Sequence, residues 1–240
     1  MQQLLVWKRV VFVDWHGVLS RDPFWLSILQ REKHPLRPVL QAKLGQLFST
    51  GSTVHEWMKG LRTSDEVIAE LGIETRGNYR NDFLAKRLDA DCFLMRVDGE
   101  LVELLKSLKA GAFVVLATDN MDCFARAFEY ARSKRKRARA DVETFSDWAT
   151  ICDDIVCSSD VGALKSEDAV GFFGTWLREH GLSFDQAVLI DDREDNCRAF
   201  TAQGGLALQW KIGDSLTGVA SAVERWLSHE IHDVPAASGR

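Results

Sequence analysis

The 240-residue chain has no C-x-x-C pair among its five cysteines, so it lacks the spacing on which zinc sites and thioredoxin-like redox motifs rely. The cysteines stand at positions 92, 123, 152, 157 and 197. Their odd number gives no sign of a disulfide framework, and they read as reduced, mostly structural thiols. Positive charge is in deficit: 30 Lys and Arg stand against 35 Asp and Glu, for a net charge of −5. That balance argues against bulk electrostatic binding to nucleic acid or a membrane surface. Long apolar runs are missing too, and the run at Val10–Val13 is far shorter than a signal-peptide core or a membrane span. The expectation is a soluble, cytoplasmic protein with no membrane association. Its length is enough for one sizeable core and a modest extra subdomain.

What is present is organised around Val10-Val-Phe-Val-Asp14-Trp-His16-Gly-Val-Leu19. Four consecutive apolar residues, mostly β-branched, read as a strand buried on both faces. The run stops at Asp14, and a chain-reversing Gly17 follows. A carboxylate at the carboxyl end of such a strand is placed as a nucleophile or metal ligand. A turn Asp capping the next element is the other reading of this stretch taken alone.

From Phe24 to about Arg96 the apolar spacing is helical and shows no β-like alternation. This predicts an all-helical insertion over 20–96, with Ser64 as an N-cap before Asp65 and Glu66. The α/β rhythm then returns. Strands are predicted at Phe113–Ala117, Ile155–Cys157, Ala187–Ile190 and Leu206–Gln209. Helices are predicted over Leu101–Lys109, Met121–Arg132, Ser166–His180, Asn196–Gln203 and Leu216–Leu227. The fold class is α/β: a Rossmann-like parallel sheet flanked by helices, formed by residues 1–19 and 97–231, with the helical subdomain inserted. The tail 232–240 reads as frayed.

Each of the next three strands is followed by residues suited to phosphate or metal. Thr118-Asp119-Asn120 brings a hydroxyl and backbone N–H groups, and Lys165 follows the loop after the third strand. Asp191-Asp192 ends the fourth, and the repulsion within this pair is relieved by a cation. Asp14-x-x-Gly-Val-Leu, Thr118, Lys165 and Asp191-Asp192 together resemble the four motifs of the haloacid dehalogenase superfamily, in order and in strand-end placement. The helical stretch lies where members of that family carry a cap domain.

The resemblance implies a Mg²⁺-dependent hydrolase of a small phosphate monoester. Asp14 would attack phosphorus to give an aspartyl-phosphate, Thr118 would bind a phosphoryl oxygen, and Lys165 would neutralise charge and orient Asp14. Asp14, Asp192 and the carbonyl of His16 would hold Mg²⁺, with Asp191 binding directly or through water. Asp119 is a further substrate-binding candidate, although Asp119 and Asn120 also read as helix-start residues. The sequence departs from the family pattern at His16, where phosphatases usually carry a second Asp as the acid. Imidazole can serve there, or can mark a catalytically weakened phosphate-binding, regulatory protein. A metal-independent 2-haloacid dehalogenase is the third reading, and the Asp191-Asp192 pair argues against it.

Other residues have plainer readings. Asp195 reads as an N-cap, and Asn196 fits either the helix start or the site. Cys157 and Cys197 read as small buried hydrophobes. His34, His55 and His180 have no partner at metal-ligand spacing. Trp15, Phe24 and Trp25 read as packing residues, with the mouth of the site as the alternative. The run 132–139 holds six basic residues in eight. It reads as a solvated helix end, and a grip on nucleic acid or another polyanion is the open alternative.

Overall fold

The computed structural model describes residues 9–75, 79–134 and 142–228. The expected tail 232–240 and most of the basic run, 135–139, lie outside them. Of the described basic residues, Arg132 pairs with Asp154 at 3.2 Å and Lys134 lies over the Tyr130 ring.

The described residues open with β1 (Val10–Val13), followed by α1 (Leu26–Leu29), α2 (Arg37–Thr50), α3 (Ser52–Met58), α4 (Ser64–Leu71) and α5 (Phe83–Cys92). It continues through α6 (Gly99–Leu108), β2 (Phe113–Thr118), α7 (Asp122–Ser133), α8 (Phe145–Ile151), β3 (Asp154–Cys157) and α9 (Ser158–Val161). The last elements are α10 (Ala169–Glu179), β4 (Ala187–Asp191), α11 (Glu194–Thr201), β5 (Leu206–Gln209) and α12 (Thr217–Ser228). The five strands form one parallel sheet in the order β3-β2-β1-β4-β5. The fold class is therefore the α/β, Rossmann-like arrangement expected.

Alternation along the strands explains why both faces are covered. Val11 and Val13 join Val114, Leu116, Val188 and Ile190 in one apolar cluster with α6, α7, α8 and α12. Val10 and Phe12 join Val115, Ala117, Ala187 and Leu189 in a second cluster with α10 and α11. With side chains pointing alternately up and down, a strand apolar at every position must be sandwiched between helices. Val10 to Val13 are fully buried. Because β1 sits between β2 and β4, the strand order reverses there, and the carboxyl ends open a crevice.

Helices α1–α5 build most of a third cluster, centred on Trp25, Ile28, Leu40, Trp57, Val67 and Leu88, which Met121 and Cys123 join from the start of α7. Among the described residues, Trp25 is the only non-glycine with positive φ, at 53°. It is buried, and its indole N–H donates to the Leu84 carbonyl at 2.8 Å. The layer meets the sheet body at defined joints. Ser64 Oγ and Trp57 Nε1 both donate to Asp122 Oδ1, at 2.5 and 3.1 Å. Gly60 approaches so closely that a Cβ there would stand 2.1 Å from the Ser159 carbonyl oxygen.

Several boundaries differ from expectation. Thr63, not Ser64, caps α4, through a reciprocal box with Glu66; Ser64 is drawn one position inward because its hydroxyl serves Asp122. Asp195 does not cap α11. Arg193 takes the extended cap position, while Asp195 lies in the first turn and pairs with Arg193 at 2.6 Å. Asp119 and Asn120 do not start α7, which begins at Asp122. Helix α10 starts at Ala169, capped by Asp168. The short α8 was not anticipated, although Thr144-x-x-Asp147 forms a capping box that the sequence displays.

Candidate active site

Four strand ends supply the site. Asp14 leaves β1 with its N–H bonded to the Ile190 carbonyl at 3.0 Å, which keeps it in line with the sheet for one more residue. The chain then turns through Gly17, whose φ of +85° is favourable only for glycine. A Cβ at this position would lie 2.3 Å from Asp192 Oδ2, so the missing side chain leaves room for the carboxylate from β4.

Lys165 stands at the centre, 1% exposed. Its Nζ lies 2.8 Å from Asp14 Oδ1 and 2.5 Å from Asp191 Oδ2, and donates to the Ala117 carbonyl at 3.2 Å. Its own N–H donates to Asp119 Oδ1 at 3.0 Å, which ties the lysine loop to the end of β2. Asp191 receives more donors: Arg193 N at 2.9 Å, and Asn196 Nδ2 at 3.0 and 3.1 Å from its two oxygens. Asn196 thus steadies a site carboxylate from the first turn of α11, and settles there the choice the sequence left open. Thr118 is buried, with its hydroxyl 3.4 Å from Asn120 Nδ2. Ser158, which sequence reasoning passed over, fixes that loop by accepting from Asn120 N at 2.8 Å and donating to its carbonyl at 3.1 Å.

Charge is concentrated. Asp14, Asp191 and Asp192 each offer an oxygen within 4.8 Å of the others. Burial, reinforced by the neighbouring Asp191 and Asp119 and opposed by Lys165, pushes the Asp14 carboxyl up to about 7. Burial and Asp191 also raise Asp192. Burial acts to lower the Lys165 ammonium, but Asp14, Asp191 and Asp119 outweigh it and hold the lysine charged. One buried cation therefore faces a surplus of carboxylates, all with oxygen donors, and that set fits a hard divalent ion.

His16 is at the edge of this group. Its Nε2 lies 3.3 Å from the Asp22 carbonyl, and its ring packs on Phe24. A carbonyl can only accept, so Nε2 carries the hydrogen and Nδ1 the lone pair. Burial pushes the imidazole down to about 4, against the pull of Asp22, so it is neutral near pH 7.

Trp15 is buried in the first core cluster, whereas Phe24, which bridges that cluster and the helical layer, and Trp25 also line a cavity beside His16 and Asp119. All five cysteines are buried and free. His34 stacks on Tyr79, His180 on Trp176, and His55 meets Glu167 at 2.5 Å. No helix among the described residues is long and apolar enough to cross a membrane.

No family model matches the sequence, and no curated protein matches it. Solved structures do. A predicted HAD-like family hydrolase from Porphyromonas gingivalis superposes with a TM-score of 0.64 at 14% identity, over 93% of this chain and 100% of the other. A HAD-family enzyme from Bacteroides thetaiotaomicron, solved with magnesium and inorganic phosphate, gives 0.57 at 16% identity, over 88% and 98%. A 2-haloacid dehalogenase from Pseudomonas syringae pv. Tomato DC3000 gives 0.56 at 14% identity, over 91% and 99%. The chain has the haloacid dehalogenase fold. Since that fold is shared here with a dehalogenase, the reaction must be argued from the site.

Proposed function

We propose that the chain is a Mg²⁺-dependent hydrolase of a small phosphorylated metabolite, acting through an aspartyl-phosphate on Asp14. The observation that carries this reading is the convergence of Asp14, Asp191 and Asp192 around the buried Lys165. Attack on a carbon–halogen bond needs a carboxylate but no cation, and would not call for a second free carboxylate, Asp192, beside Asp14 at the end of β4.

Asp14 and Asp192, with the His16 carbonyl, would hold the ion, and Asp191, already engaged by Lys165, Asn196 and Arg193, would meet it directly or through water. When bound, the ion supplies charge neutralisation and orientation of the phosphoryl group. Lys165 keeps Asp14 oriented and meets the charge that builds on the phosphoryl oxygens. Thr118, with Asp119 fixing the lysine loop, lines the phosphoryl position. An Asp14 oxygen attacks phosphorus as the ester P–O bond breaks, and the departing oxygen takes a proton from water to leave as the alcohol. A second water then attacks phosphorus, gives up a proton and breaks the Asp14–phosphate bond, which restores the carboxylate and releases phosphate. The Nε2 hydrogen bond to the Asp22 carbonyl leaves the lone pair on Nδ1, so we assign His16 to the second step, where Nδ1 takes a proton from the attacking water. Helices α1–α5 serve as the cap that screens the crevice from bulk water.

Phosphate release from a panel of phosphorylated metabolites, with Mg²⁺ or with chelator, tests the reading. Turnover that requires the metal and disappears in Asp14→Asn is expected. Chloride release from a 2-haloacid in chelator, without phosphate release from any ester, would replace it with the dehalogenase reading.

A further inference from the structure

Next to the strand ends lies a cavity of about 330 Å³, roofed by helices α1–α3. Its floor is polar, formed by His16, Asp119 and Asn120, the last two continuing directly from Thr118. The rest of its wall is apolar, including Trp25, Leu44, Val54, Trp57 and Met58. The indoles bring no hydrogen bond to it, because Trp25 Nε1 is committed to the Leu84 carbonyl and Trp57 Nε1 to Ser64 and Asp122. No lysine, arginine, serine or threonine lines it among the described residues. Phe48, 55% exposed, stands at its rim, where an apolar side chain in water gains from covering a ligand. Trp25 holds its place with a left-handed backbone, a conformation that persists at non-glycine residues where the surroundings over-determine it.

We propose that the group esterified to the phosphate is an uncharged apolar alcohol, aliphatic or aromatic, housed in this cavity. The inference rests on the phosphohydrolase reading and narrows it. An apolar cavity of about 150 Å³ admits benzene, so this space has room for a group of about ten non-hydrogen atoms. A sugar or nucleoside would bury hydroxyls against a wall with no partner for them, and a site built this way rejects them through those unpaired groups.

The test has a binding arm and a turnover arm, both on the full chain with Mg²⁺. Calorimetry compares hexylphosphonate with methylphosphonate, neither of which can be hydrolysed. Phosphate release compares hexyl and phenyl phosphate with glycerol phosphate and glucose 6-phosphate. The expected results are at least tenfold tighter binding of hexylphosphonate, and kcat/KM at least tenfold higher for the apolar esters. Leu44→Gln and Met58→Gln, at half-buried positions that tolerate a polar group, should each cut the hexyl-to-methyl affinity ratio several-fold. Equal affinity for the two phosphonates, or turnover favouring the sugar phosphate, overturns the inference and leaves the phosphohydrolase reading intact. Selective hexylphosphonate binding with no ester hydrolysed keeps the apolar subsite and removes the hydrolase reading. If neither phosphonate binds, both fall.

Discussion

The ammonium of Lys165 lies 2.8 Å from the Asp14 carboxylate, and both groups are withdrawn from water. Removing one member of a buried ion pair leaves the other charge uncompensated, a loss of about 3–5 kcal/mol. Here two carboxylates, Asp14 and Asp191, lose their partner together. Lys165→Met is therefore expected to lose phosphate release and also to unfold at markedly lower urea. A shift corresponding to under about 1 kcal/mol, the scale of an exposed pair, would mean that the lysine is not the buried counter-charge.

Gly17 and Asp192 give a more selective test. A methyl group on Gly17 would run into Asp192 Oδ2 and would strain a backbone at φ +85°. Gly17→Ala is expected to reduce stability by about 1–2 kcal/mol. The larger effect should be on Mg²⁺, with affinity by calorimetry falling at least tenfold as Asp192 is pushed off its position. Asp192→Asn is the comparison, since it removes the charge without crowding the turn. Unchanged Mg²⁺ affinity in both variants would take Asp192 out of the metal site.

These two residues also show what the sequence could and could not reveal. Strands stood out because each carries a short run of apolar residues, unbroken in β1 and followed by a polar cluster at the ends of β1, β2 and β4, the pattern of a sheet covered on both sides. Asp14, Thr118, Lys165 and Asp191 were legible because strand ends in a parallel sheet share one edge, so residues far apart in sequence must meet there. The supporting contacts were not. Nothing in the sequence says that Ser158 holds Asn120, or that Ser64 gives up the cap of α4 to serve Asp122. Those choices depend on which loops face each other, and caps and turns offer the same few polar residues to several partners. The direction of the His16 ring was hidden for the same reason.

The Ser64–Asp122 joint makes the attachment of the helical layer acid-sensitive. Burial acts to raise the Asp122 carboxyl, but hydrogen bonds from Ser64 and Trp57 and the nearby Arg126 outweigh it and hold it below the usual carboxylate value. A carboxyl depressed in the folded state contributes stability above its unfolded value, about 3.9, and loses it as pH falls through its folded value. Urea midpoints followed from pH 6 down to pH 3 should therefore fall more steeply for the wild type than for Asp122→Asn. Parallel pH curves for the two proteins would show that this joint contributes nothing to the acid response.

His16 separates the two chemical steps. If the neutral imidazole takes a proton from the attacking water, its loss slows cleavage of the Asp14–phosphate bond and leaves the first attack intact. His16→Ala should then release the alcohol in a burst close to one equivalent per enzyme and afterwards turn over about 10²–10⁴-fold more slowly than the wild type, the usual range for a general base. The phosphorylated Asp14 should be visible by mass spectrometry after an acid quench. A slow His16→Ala with no burst and no phosphoenzyme would place His16 in the first step. Wild-type turnover in His16→Ala would make it a packing residue, held by Phe24 and the Asp22 carbonyl alone. His16→Asp extends the comparison, because the burial that keeps the imidazole neutral favours the protonated form of a carboxyl, which could then assist the leaving oxygen. If that variant speeds the burst itself, departure of the alcohol limits the native protein's first step.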